Sequence, residues 1–381
     1  MTILLTAVLL QAGTACADSM EPAHFSEISQ LIDSLARQDK FSGTVLIARH
    51  GNILLQKTAG MAEKERNTPV ETHTRFNIAS VGKMFTSVAI AQLVEKGKLD
   101  YDDRVVKHLG FLPEETFGSI TIAHLLSNTS GLGNTHDKAE YLSIRDTAKT
   151  LQQYIGLCLQ DTLLFTPGTQ FHYSNYGYIL LGAVIEKITE TSYFDYVADQ
   201  IFAAAGMDHT GFDETDRENE CLAVGYTRQN SVTELTQTET TPSHLPVRVS
   251  SRKMIEVRGT SAGGAYASAP DLHRFSDALL GSEIIQRESF ERITRGRFDM
   301  SGQPATPHPN QIPLVQYGYG FIETFRNGER IVGHNGGFPG YRAQLDIYPD
   351  LAYTVVVLTN YDEPIMPLVN AIRNYITRLN H

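Results

Sequence analysis

The runs of residues that favour β-strands lie at the two ends of this chain, and that limits its folds more than any other feature. Near the start, 41–48 and 53–58 are β-rich runs joined by the turn sequence Arg49-His50-Gly51-Asn52. Near the end, 319–324, 330–334, 341–348 and 353–359 read the same way about an Asn327-Gly328 turn and a Pro349-Asp350 turn. An isolated hairpin is marginal in water, so both groups are expected to share one sheet. Helical periodicity brackets them: Phe25, Ile28, Leu31, Ile32 and Leu35 predict an opening helix ending near Gln38, and Ile365, Leu368, Val369, Ile372, Tyr375, Ile376 and Leu379 predict a closing one.

Between the two groups, 99–212 is mainly helical in pattern, broken by turn clusters such as Ser127-Asn128-Thr129-Ser130-Gly131 and Thr166-Pro167-Gly168-Thr169. Residues 213–258 are polar and poorly periodic, so a long loop with a short hairpin is expected, of the kind that often serves as a lid. Ser268-Ala269-Pro270-Asp271 has the spacing of a helix start. The expected fold is α+β. It has an antiparallel sheet of five strands or more, built from about 18–79 and 260–381 and flanked by helices, with an α-rich insertion over about 80–259.

A chain of 381 residues with 41% apolar content can bury a large core. The formal net charge of −11 and the absence of a Lys/Arg cluster argue against nucleic acid as a partner. Residues 1–10 are apolar and lead to Ala15-Cys16-Ala17-Asp18, a small-x-small site, so 1–17 reads as a signal peptide and the chain as periplasmic or secreted. Contact with a membrane would then be transient, through that segment alone. The segment lacks an early Lys or Arg, and Gly13 is a poor fit to a lipidation site at Cys16. Cys158 and Cys221 remain; one disulfide is possible, and their spacing suggests neither metal binding nor redox work, so no cofactor or metal is expected.

Chemistry concentrates in Phe76-Asn77-Ile78-Ala79-Ser80-Val81-Gly82-Lys83, ahead of a helix running to about Lys96. Residues three apart share a helix face, so Ser80 and Lys83 point at one spot. A serine hydroxyl needs a base, and a lysine desolvated among Met84, Phe85 and Val88 can have its pKa lowered enough to serve. Taken alone the pattern is weak, because a second Ser-x-x-Lys occurs at Ser250 to Lys253. Order supplies the specificity: Tyr173-Ser174-Asn175 stands before an apolar helix, and His334-Asn335-Gly336-Gly337 lies in the last group of strands.

This ordered set resembles the serine β-lactamase and penicillin-binding-protein superfamily, most closely its class C branch, whose members carry S-x-x-K, Y-x-N and a third K-T-G or H-x-G motif on a strand. The resemblance runs from about Phe25 to the C-terminus and includes Leu125 to Leu132, Pro167-Gly168, Ala262-Gly263-Gly264 and Tyr319-Gly320-Phe321. It implies an acyl-enzyme on Ser80, with Lys83 taking or holding the proton and Tyr173, shifted toward phenolate by Lys83 and His334, relaying it. It also implies that Asn175 hydrogen-bonds Lys83 and a substrate amide, and that the N–H groups of Ser80 and Gly337 hold the oxyanion. Glycines at 336 and 337 would let a substrate backbone approach closely.

One departure bears on substrate. His334 and Asn335 stand where β-lactamases of this branch have Lys and Thr, so the groups that meet a β-lactam carboxylate are missing. The H-x-G members resemble esterases, D-aminopeptidases and D,D-peptidases, and a small-molecule or peptide substrate of those kinds is expected. The alternatives are a true class C-like β-lactamase, a sensor or binding module that acylates with little turnover, and an α/β-hydrolase using Ser261 of Gly259-Thr260-Ser261-Ala262-Gly263. Oligomeric state is not readable from the sequence.

Overall fold

A computed structural model describes residues 25–134, 139–159, 162–217, 219, 221–228, 247–300 and 315–379. The expected signal peptide at 1–17 and its Cys16 lie outside the described residues, as does much of the polar loop.

Among the described residues the main sheet has eight strands, β1 (Gly43–Arg49), β2 (Asn52–Ala59), β3 (Phe298–Asp299), β4 (Val315–Tyr317), β5 (Ile322–Arg326), β6 (Glu329–Phe338), β7 (Tyr341–Tyr348) and β8 (Tyr353–Thr359). Their spatial order is β3-β4-β5-β6-β7-β8-β1-β2, and every pairing is antiparallel. The first hairpin joins the last strand directly, Gly43 opposite Thr359 and Arg49 opposite Tyr353. The helices of twelve residues or more are α1 (Ser26–Arg37), α2 (Lys83–Glu95), α3 (Asn175–Thr189), α4 (Ala269–Leu280) and α5 (Met366–Leu379).

Period-two alternation sends successive residues of a strand to opposite faces. On one face Val45, Ile47, Val355 and Val357 pack against Ile28 and Ile32 of α1 and Leu368, Val369, Ile372 and Ile376 of α5. On the other, Leu46, Val356, Leu358, Ala343 and Leu345 join a larger core with α2, α3 and α4. Helix α2 is apolar all round, and of its thirteen residues only Val94 and Glu95 are not buried. It forms the centre of the helical half, beneath the sheet.

Two local expectations are corrected. The strand expected from Tyr319 starts at Ile322, because Gly320 sits at φ +72° and the Gly318 N–H donates to the Phe321 carbonyl, closing a turn between β4 and β5. The helix expected from Ser80 opens as a 3₁₀ turn, Ala79–Gly82, and becomes α-helical at Lys83. Cys158 is buried and Cys221 exposed.

Candidate active site

The nucleophile turn is held on three sides. The Asn77 side chain accepts from the Ala79 N–H at 2.9 Å, and Ala79 itself adopts the left-handed conformation, φ +46°. The Gly264 N–H donates to the Ala79 carbonyl and the Ile78 N–H to the Ala265 carbonyl. Two glycines permit this approach. A Cβ on Gly263, at φ +145°, would lie 2.4 Å from the Ala79 oxygen, and one on Gly336 would lie 2.2 Å from the Ile78 oxygen. The Ala262-Gly263-Gly264 stretch and the Gly336 of β6 therefore clamp the backbone that carries Ser80.

Lys83 has no exposed surface. Its Nζ lies 2.6 Å from Asn175 Oδ1, 2.6 Å from the Ala262 carbonyl oxygen and 3.3 Å from Ser80 Oγ. Burial holds its pKa well below the ordinary lysine value, with the Glu256 carboxylate acting in the opposite direction. A neutral amine has two N–H donors and one lone pair. Both donors have an oxygen that can only accept, so the lone pair is left for the Ser80 hydroxyl.

Tyr173 comes from the segment leading into α3, whose N-cap is Ser174. That segment is anchored on Asn128, which is itself left-handed (φ +57°): its carbonyl accepts from the His172 N–H at 2.8 Å and its Oδ1 from the Ser174 N–H at 3.0 Å. Tyr173 hydrogen-bonds Ser80, and its ring lies 4.8 Å from Lys83 Nζ. Burial pushes its phenol above the ordinary value, the Ser80 contact offsetting only part of this. The expected drift toward phenolate is therefore reversed in the resting site. Asn175 is held in turn by Asn134, whose Oδ1 accepts from its Nδ2 at 2.9 Å.

His334 sits on β6 and is 2% exposed. Its Nδ1 is 2.5 Å from the Asn335 carbonyl oxygen and its Nε2 is 3.1 Å from the Tyr317 hydroxyl. A carbonyl only accepts, so Nδ1 carries the proton and Nε2 accepts from Tyr317. Burial, then the nearby Lys83, lower the His334 pKa to about 3. The switchable charge anticipated at this position is thus a neutral, internally bonded ring. Asn335 and Gly337 are exposed on the opposite strand face. Because β5 pairs with β6 only up to Gly333, the 334–338 half has no strand on its outer edge among the described residues.

Sequence reasoning missed three contributors: Tyr317, Asn134 and the Ala262 carbonyl. Tyr317 stands two residues before the Tyr319-Gly320-Phe321 stretch and Asn134 three after Gly131, so each adjoins a segment already singled out. The rival motifs separate on geometry. Ser261 is wholly buried with no strand directly before it and no helix until Ala269, and Ser250 lies in a two-residue strand, not a helix.

Fold and site together define a β-lactamase/transpeptidase-type protein, with a serine and a lysine one turn apart beneath a glycine-bearing strand. The family model described as Beta-lactamase matches residues 28–376, and the chain belongs to that family. It is 30% identical over 345 residues to penicillin-binding protein 4* of Bacillus subtilis (strain 168), covering 88% of this chain and 72% of that protein. Among solved structures, a penicillin binding protein from Bacillus halodurans superposes with a TM-score of 0.75 at 28% identity, over 90% of this chain and 98% of that one. D-amino acid amidase from Ochrobactrum anthropi SV3 shares the fold, with a TM-score of 0.76 at 22% identity over 94% and 99% of the two chains.

Proposed function

We propose that this protein is a serine hydrolase that forms an acyl-enzyme on Ser80 and acts on esters or on D-amino-acid amides and peptides. The observation that carries the reading is the Lys83 amine, wholly buried, its pKa held well below the ordinary lysine value, 3.3 Å from Ser80 Oγ. Lys83 takes the Ser80 proton as the oxygen attacks the substrate carbonyl. The Tyr173 phenol then gives its proton to the leaving group and is reprotonated by the Lys83 ammonium, so the proton count closes. Water repeats the sequence in reverse and frees Ser80. Asn175 holds the amine in line, and the N–H groups of Ser80 and Gly337 are assigned to the oxyanion, where loss of one donor typically costs about 3–4 kcal/mol of barrier.

The third motif supports esters and amides over β-lactams. Both His334 nitrogens are engaged within the protein, so the ring offers no cation to a β-lactam carboxylate. The likeness to penicillin-binding protein 4* favours, as a second reading, acylation by penicillin with slow release. We further propose export after cleavage near Ala17, which N-terminal sequencing of the protein from its native cell would check. A panel of p-nitrophenyl esters, D-alanine amides and a chromogenic cephalosporin tests the substrate class. Esters or amides are expected to show the highest kcat/KM, and a lead for the cephalosporin would overturn that choice. Ser80→Ala is expected to abolish labelling by a fluorophosphonate or penicillin probe, whereas Ser261→Ala retains it; labelling that follows Ser261 would sink the mechanism.

A further inference from the structure

Tyr317 belongs to none of the three motifs, yet its wholly buried side chain touches two of them. Its hydroxyl is 3.1 Å from His334 Nε2, and its ring meets the Tyr173 ring edge-on, with centroids 6.1 Å apart and planes at 89°. The other hydroxyl beside it, that of Tyr178, donates to the Leu126 carbonyl at 2.7 Å, so its oxygen is a second acceptor for the Tyr317 proton; Nε2 of His334 is an acceptor because the Asn335 carbonyl holds the ring proton at Nδ1. We propose that Tyr317 is a positioning residue: it locks His334 as the neutral Nδ1–H tautomer and, through edge-on packing, sets the Tyr173 ring over Lys83.

The inference rests on the hydrolase reading above and extends it to how the acid–base pair is kept in register. The groups facing His334 are Lys83 from α2, Tyr173 from the segment before α3, Tyr178 of α3 behind Tyr317, and on β7 only the apolar Leu345. A proton on His334 would stand beside Lys83 and oppose the ammonium that must form there during attack. An O–H donating to Nε2 stabilises the unprotonated ring, so losing it makes that proton easier to add.

Tyr317→Phe keeps the ring and removes only the hydroxyl. The expected result is a kcat lower by about tenfold, the loss of one hydrogen bond to a reacting constellation, with KM little changed. The His334 imidazole should also take up its proton at a pH higher by about one unit. Nitrogen-15 NMR of the imidazoles, with His334 assigned through His334→Gln, reads the tautomer without turnover. It therefore distinguishes failure of this inference from failure of the hydrolase reading. The wild-type ring should stay neutral and Nδ1-protonated down to about pH 5, and Tyr317→Phe should change its Nε2 shift. A wild-type ring that titrates above about pH 6 would refute the lock, even if the variant does not fold. Unchanged imidazole shifts in a folded Tyr317→Phe protein would reduce Tyr317 to packing.

Discussion

At the scale of single residues, Lys83 couples chemistry to stability. The amine lies wholly inside the protein, and burial holds its folded pKa below the ordinary value of 10.5. Between those two values the unfolded chain carries a proton that the folded chain does not. The contribution of Lys83 to stability is therefore fully present above the unfolded pKa and lost as pH falls through the folded one. Urea unfolding of wild type and Lys83→Met from about pH 6 to about pH 9 should show the wild type gaining on the variant as pH rises, while the variant loses acylation. A constant difference would mean that Lys83 is protonated in the fold. Ser80 and Lys83 were legible in the sequence because helix geometry ties residues three apart, and Asn175 because it opens an apolar helix. His334 was legible as a position but not as a chemical state, since only its burial beside Lys83 makes it neutral. Tyr317 was not legible, because two turns of chain bring it to His334.

At the scale of elements, the strand β6 and the nucleophile turn act as one part. Gly336 has no room for a side chain, its Cβ position lying 2.2 Å from the Ile78 oxygen and 3.1 Å from the Ala79 Cβ. Gly336→Ala is expected to destabilise the protein by about 1–3 kcal/mol, as overpacking does. Its larger effect should fall on kcat, by moving Ser80 relative to Lys83; equal kcat in the folded variant would separate strand from turn. The long strands and amphipathic end helices followed from periodicity, which reports burial directly. The short strands β3 and β4 did not, because two or three residues are too few to display alternation, and their place is fixed by pairing with β5.

At the scale of the molecule, a buried ion pair fastens α5 to the sheet. Arg373 Nε and Nη2 each lie 2.7 Å from an Asp346 carboxylate oxygen, and Asp346 is 1% exposed. Removing one partner leaves the other charge buried, so Arg373→Met should cost about 3–5 kcal/mol in urea unfolding while leaving kcat/KM of the folded fraction unchanged. A fall in kcat/KM would tie this distant face to catalysis. The pairing of Gly43 with Thr359 also sets a schedule for synthesis. The first hairpin leaves the ribosome early and must wait until residues 353–359 have been translated, about 300 residues later, before its neighbour exists. Such long-range closure is slow. The newborn chain thus passes through a period in which the hairpin's open edge must be kept from pairing with other chains.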